Sequence, residues 1–157
     1  HKYIIQKGIP TIGIQRAQDF RLLIQKNEKG EWEVTGCAAR IGSRRSITSN
    51  LHGGGIAVSA QTMLTSRFGS KRADNIVDQM HFLGFATANA LEKHFGRLCE
   101  LGLDIAVDHD GLPWLLEVNP KPSREIFRKI GDMKTYRKAI VRPLTYALWL
   151  YEQTKQK

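Results

Sequence analysis

At 157 residues, 41% hydrophobic and 25% charged, the chain can bury one core and reads as a single globular domain. No apolar run approaches the ~20 residues of a membrane helix, and the N-terminus lacks the basic-then-apolar pattern of a signal peptide. The formal net charge of +9 favours anionic partners such as phosphates, nucleic acid or an acidic polymer, without choosing among them.

In chain order the pattern is strands, helix, hairpin, helix, which is an α+β layout. The chain starts at His1 and runs straight into strand-like Tyr3-Ile-Ile-Gln6, a start expected of a fragment or processed product. Phe20 to Lys26 and Trp32 to Ile41 read as the next strands, joined by a turn at Asn27-Glu-Lys-Gly30. The stretch from Ser43 to Gly55 is a polar, glycine-rich loop. From Ser70 to Phe95, Ile76, Met80, Leu83, Thr87 and Leu91 recur at helical spacing, and Gly96 supplies the stop. Gly84, Ala86, Ala88 and Ala90 imply that this helix packs closely on the sheet. A last helix is predicted from about Asp132 to Thr154, with Met133, Tyr136, Ile140, Leu144, Leu148 and Tyr151 on one stripe and a kink at Pro143. Cys37 and Cys99 are too few for a zinc cluster and read as reduced, buried thiols.

The most informative stretch runs from Gly102 to Asn119. Apolar residues bracket the turn signal Asp108-His-Asp-Gly111, so Leu101 to Val107 and Leu112 to Val118 form a hairpin. A two- or four-residue loop pairs positions whose numbers sum to an odd value. That pairing puts Asp104 on one face with Glu117 and Asn119. Two carboxylates and an amide are hard oxygen ligands suited to Mg²⁺ or Mn²⁺ held together with phosphates. The bland alternative is a solvated strand edge with incidental acids, and spacing alone does not separate the two. Trp32, Trp114 and Trp149 sit at positions that look packed, which counts against a nucleic-acid module needing exposed aromatics among basic residues.

Asp104, then Glu117-Val-Asn119, then Pro120-Lys-Pro122-Ser-Arg124 resembles the C-terminal half of the ATP-grasp carboxylate-amine ligases. Tyr3 to Ile9, Asp19 to Asn27, Gly36-Cys-Ala-Ala-Arg40 and Ser49-Asn-Leu-His-Gly-Gly-Gly55 bring it nearest the YheC/YheD-like endospore coat-associated proteins. The resemblance implies an ATP-grasp-like antiparallel sheet packed with two long helices, spanning 1–157 as the C-terminal portion of the grasp fold. The upstream nucleotide-binding part is expected to be absent. Adenine would be read by the Gln6 carbonyl and the Ile9 amide, with Lys7 in the same hinge. Asp19 would take the ribose hydroxyls, although a strand-start role fits its residue type equally well.

By the same resemblance Arg21 and Arg40 would contact phosphate or the carboxylate substrate, a solvated face being the alternative. Asn50 and the glycine loop containing Gly54 would lie beside the γ-phosphate, and Arg124 would contact substrate. Asp104, Glu117 and Asn119 would hold Mg²⁺ or Mn²⁺ with ATP. A carboxylate would then attack the γ-phosphate, and an amine or thiol would capture the resulting acylphosphate. The implied partners are a nucleotide and unidentified carboxylate and amine substrates, without membrane or nucleic acid. A homodimer covering an exposed sheet edge is also expected. The implied location is the cytoplasm or spore coat of a spore-forming bacterium. The chain by itself is expected to be inactive and to bind ATP poorly. A spore-coat structural protein that keeps the fold without turnover, and a basic nucleic-acid-binding module, remain as non-enzymatic readings.

Overall fold

The computed structural model describes residues 8–9, 17–43 and 54–155. Alternation along Gln18–Lys26 (β1) sends Phe20, Leu22 and Ile24 to one face, and Asp19, Arg21, Leu23 and Gln25 to the other. β1 turns into Trp32–Ile41 (β2) through a loop in which Asn27 Oδ1 accepts the N–H groups of Lys29 and Glu31, both at 2.9 Å. Ile56–Ser59 (β3) pairs with β2 and runs directly into Ala60–Phe68 (α1), followed by Ser70–Phe95 (α2). Glu100–Val107 (β4) and Pro113–Asn119 (β5) form the hairpin. Glu125–Lys129 (α3) and Met133–Lys155 (α4) close the described chain. The five strands are ordered β3-β2-β1-β4-β5, every neighbour antiparallel.

Both faces of this sheet are used, differently. Phe20, Leu22, Ile24, Leu101, Leu103 and Ile105 build the main core with Leu64 of α1 and Ile76, Met80 and Ala88 of α2. Each large apolar side chain so buried contributes about 1.5–3 kcal/mol. On the opposite face a smaller cluster of Leu23, Ala38, Ile126, Phe127 and Ala139 holds α3 and α4. The strands at 18–41 and the helix at 70–95 lie where the periodicity places them. Gly84 and Ala88 of α2 are buried as the small-residue pattern implies, whereas Ala86 and Ala90 are exposed. The short β3, α1 and α3 were not anticipated. β3 passes into α1 with no glycine or proline between them, so no break in period marks the junction.

The hairpin reaches its expected face by an unexpected route. Asp108 N–H bonds to Leu112 O at 3.1 Å, closing a three-residue loop that ends in Gly111 at φ +77°, a conformation glycine adopts without strain. Near the turn the register sum is therefore even, with Ala106 opposite Trp114. Trp114 is 48% exposed, contrary to the packed position assigned to it, and its Nε1 donates to Asp108 Oδ2 at 2.8 Å. Asp108 Oδ1 accepts from the N–H groups of Asp110 and Leu112, both at 2.9 Å. Desolvation works to raise the Asp108 pKa, but the hydrogen bonds from Trp114, Leu112 and Asp110 outweigh it and lower the value. Asp108→Ala is expected to cost about 1–3 kcal/mol, read as a lower urea midpoint. Because the folded value is depressed, that contribution is complete above the ordinary aspartate range. It disappears as pH falls through the lowered value, so wild type and variant converge in acid.

α4 runs unbroken through Pro143. A proline has no N–H, so the Ala139 carbonyl four residues earlier loses its helical donor. Two side chains replace it: Gln25 Nε2 and Arg124 Nε both donate to Ala139 O at 2.9 Å. Buried Gln25 also donates to Glu100 and accepts from Thr35, which in turn accepts from Arg142 Nη1 at 2.7 Å. These polar anchors set the rotation of the helix. Ala139, Arg142 and Tyr146 face inward, while Met133, Ile140, Leu144, Leu148 and Tyr151 of the apolar stripe are exposed.

Candidate functional site on the open face of the sheet

Beyond the area that α3 and α4 cover, the second face carries polar side chains from four strands. Arg40 lies opposite Asp19, Arg21 opposite Asp104, Asp104 opposite Glu117, and Gly102 opposite Asn119. Directly opposed residues share a face, so all six polar side chains point the same way.

Two β-bulges make this possible. In β1–β2 the register shifts between Leu23 and Ile24, leaving Thr35 as the extra residue; in β4–β5 it shifts between Asp104 and Ile105, leaving Leu116. Without those insertions Arg40 would oppose Gln18 and Glu117 would oppose Leu103, both on the face packed against α1 and α2. Each bulge re-aims one of these polar side chains, Arg40 in the first case and Glu117 in the second.

Asp104 Oδ1 accepts from Arg21 Nε at 2.5 Å, and Oδ2 from Arg21 Nη2 at 3.2 Å and Arg40 Nη2 at 2.8 Å. Arg40 Nε also donates to Asp19 Oδ1 at 2.7 Å, and its Nη2 pairs with Asp19 Oδ2. A chain of alternating charge, Asp19, Arg40, Asp104, Arg21, thus crosses three strands, with its first three members buried. Burial acts to lower the Arg40 pKa, but the bond and charge of Asp19, then those of Asp104, raise it above its ordinary value. Arg40 is a fixed cation here.

Glu117 is exposed at the end of this row. Asn119 is half-buried and its Oδ1 accepts from Lys121 N–H at 2.9 Å, an Asx turn that fixes the side chain where the strand ends. A Cβ on Gly102 would come within 2.6 Å of Pro122, so only glycine lets the chain after Asn119 fold back across β4 beside Arg21. Gly54 lies in a turn just before β3, whose Ala57 faces Arg40 across the ladder. Ile9 is half-buried in no regular element. Gln6, Lys7, Asn50, the strand expected at Tyr3 to Gln6 and most of the glycine loop lie outside the described residues.

Arg124 is not brought to this cluster: it donates to both Glu100 oxygens at 2.7 Å and to the Ala139 carbonyl. Asp19 is committed to Arg40. Neither partnership has a sequence signal, because each depends on a register or a proline far along the chain. The cysteines are free, and desolvation pushes the Cys37 thiol up to about 12, which makes it a poor nucleophile.

Among the described residues no three His, Cys, Asp or Glu side chains gather as a metal site, and no helix is long and apolar enough to cross a membrane. A cation on this face would find two carboxylates and one amide, a set that fits Mg²⁺ only when ligand or water oxygens complete its shell. An acid on one strand, Glu-x-Asn on its hairpin partner and one arginine on each of the next two strands thus form a single row of polar side chains across the sheet. The YheC/D like ATP-grasp family matches residues 1–150. The endospore coat-associated protein YheC of Bacillus subtilis (strain 168) is 30% identical over 161 residues, covering 100% of this chain and 43% of that protein. The endospore coat-associated protein YheD of the same organism is 31% identical over 127 residues, covering 80% of this chain and 27% of that protein. The chain belongs to the YheC/D-like ATP-grasp family, and it spans less than half the length of these two curated relatives.

Proposed function

We propose that the chain carries the metal- and phosphate-facing part of an ATP-dependent ligase site that joins a carboxylate to an amine or thiol, in a protein associated with the spore coat. One observation carries the reading: Asp104 and Glu117 are direct partners on one face, with Asn119 on the same face two residues further along β5 and the arginines of β1 and β2 beside them. ATP with Mg²⁺ would supply the transferable phosphoryl group and the charge neutralisation that activating a carboxylate requires. Glu117 offers a carboxylate that makes no ion pair among the described residues, and Asp104 and Asn119 offer the further oxygens. Arg21 and Arg40 offer guanidinium N–H groups to phosphate or acylphosphate oxygens, the chemistry their planar forks suit best. Asp19 is a positioning residue, holding Arg40 against Asp104.

One feature favours a second reading, a fold retained without turnover: both Asp104 oxygens are already engaged by arginines. Paramagnetic broadening tests whether a cation reaches this row despite those arginines. Mn²⁺ added with ATP is expected to broaden the amide signals of Asp104, Glu117 and Asn119 before any others, and Glu117→Gln should abolish the effect. Broadening that ignores Glu117 makes the non-catalytic fold the better account.

A further inference from the structure

The apolar stripe of α4 faces away from the protein that it belongs to. Leu144 is 67% and Leu148 57% exposed, with Val141 and Tyr151 more than half exposed on the same stripe. From Arg137 the positions 137, 141, 144, 148, 151 and 155 are separated alternately by four and three residues, the spacing of a seam between two helices. The buried side of the helix, Ala139, Arg142 and Tyr146, lies opposite this seam and is anchored by polar contacts, so the helix cannot roll to bury its leucines without orphaning Arg142 and the Ala139 carbonyl.

We propose that this face docks a second copy of the chain, with the two α4 helices antiparallel about a two-fold axis. In that arrangement Leu144 meets the partner's Leu148 and Val141 meets the partner's Tyr151, each contact made twice. The same register sets Arg137 against the partner's Lys155 at each end of the seam, a like-charge contact that keeps the association weak, while the residues flanking the seam match. Lys138 comes opposite the partner's Glu152, again twice, while Thr145 and Ala147 each meet their own counterpart at the axis, where small side chains let the helices approach. Covering the stripe on both copies removes roughly 1,000 Å² from water, near the low end of specific interfaces, so the dimer is weak and concentration-dependent.

The basic residues of α4 would also suit an anionic lipid surface. Glu152 decides against it: beside the stripe, it would be pressed toward like-charged headgroups, whereas an antiparallel copy offers it Lys138. Lys138 reaches only a distant contact within its own chain, 3.9 Å from Glu33, and is free to turn.

Sedimentation equilibrium of the 157-residue chain tests this. Wild type is expected to pass from monomer to dimer at concentrations of about 10–100 μM. Leu144→Glu, which alters a side chain already exposed, should leave the thermal melt in place and weaken the dimer at least about a hundredfold. Lys138→Glu and Glu152→Lys should each weaken it about tenfold, and the double exchange should restore it. A chain that stays monomeric throughout overturns the proposal, as does a monomer that binds phosphatidylglycerol vesicles through Leu144. A dimer indifferent to Leu144→Glu but broken by substitutions in β5 would overturn it too, by placing the contact at the sheet edge.

Discussion

Arg40→Met is expected to destabilise the protein by about 3–5 kcal/mol, the cost of breaking a buried ion pair from one side. Arg40 and Asp19 expose only 9% and 7% of their side chains, and Arg40 alone links Asp19 to the rest of the charged chain. Removing the guanidinium leaves the Asp19 carboxylate buried without a cation, while Asp104 keeps Arg21. The two aspartates therefore differ in consequence. Adding Asp19→Leu to Arg40→Met should recover a large part of the loss, since it removes the stranded charge and adds apolar surface to the same spot. Urea midpoints of the wild type, both single variants and the double variant form the test. A loss below about 1 kcal/mol for Arg40→Met would mean that water reaches Asp19 and that the chain of charge is a surface feature.

How legible this site was in the sequence depended on which physical signal set each part. β1, β2 and α2 were readable because period and punctuation agree: apolar alternation stops at Asn27 and Gly30, and the helical stripe stops at Gly96. Asp104, Glu117 and Asn119 were placed on one face correctly, but through a two- or four-residue loop that does not form. The three-residue loop gives the opposite parity, and the bulge at Leu116 restores it. A bulge has no composition of its own, so its effect on Arg40 and Glu117 could not be read in advance. The stripe of α4 was legible as a stripe; its direction was not. Periodicity records where apolar residues lie around a helix, whereas here Gln25, Thr35 and Arg142 decide which side docks. Those contacts join residues up to 114 positions apart. The Asp19–Arg40 and Arg124–Glu100 pairs were invisible for the same reason: the resemblance gave Asp19, Arg40 and Arg124 other roles and Glu100 none.

Glu117→Gln is expected to reduce Mg²⁺-dependent ATP turnover by at least about a hundredfold in the full-length natural protein, while shifting stability by no more than about 0.5 kcal/mol. The two halves of that expectation come from one placement. Glu117 is exposed at the outer strand of the sheet and supports no ion pair among the described residues, so the fold loses nothing when its charge goes. The ligase reading makes that same charge the least encumbered carboxylate on the face, and an amide of equal size keeps the shape while giving up the anionic oxygen that attracts a hard cation. Asp104→Asn is the informative companion. It too removes a charge that the ligase reading gives to the metal, but it also takes the carboxylate from the half-buried Arg21 and from the buried Arg40, so activity and stability should fall together. Turnover rates with Mg²⁺ and ATP, measured beside urea midpoints for both variants, separate the cases. Turnover that survives Glu117→Gln would remove the ligase mechanism and leave the row of polar side chains on this face without a chemical role.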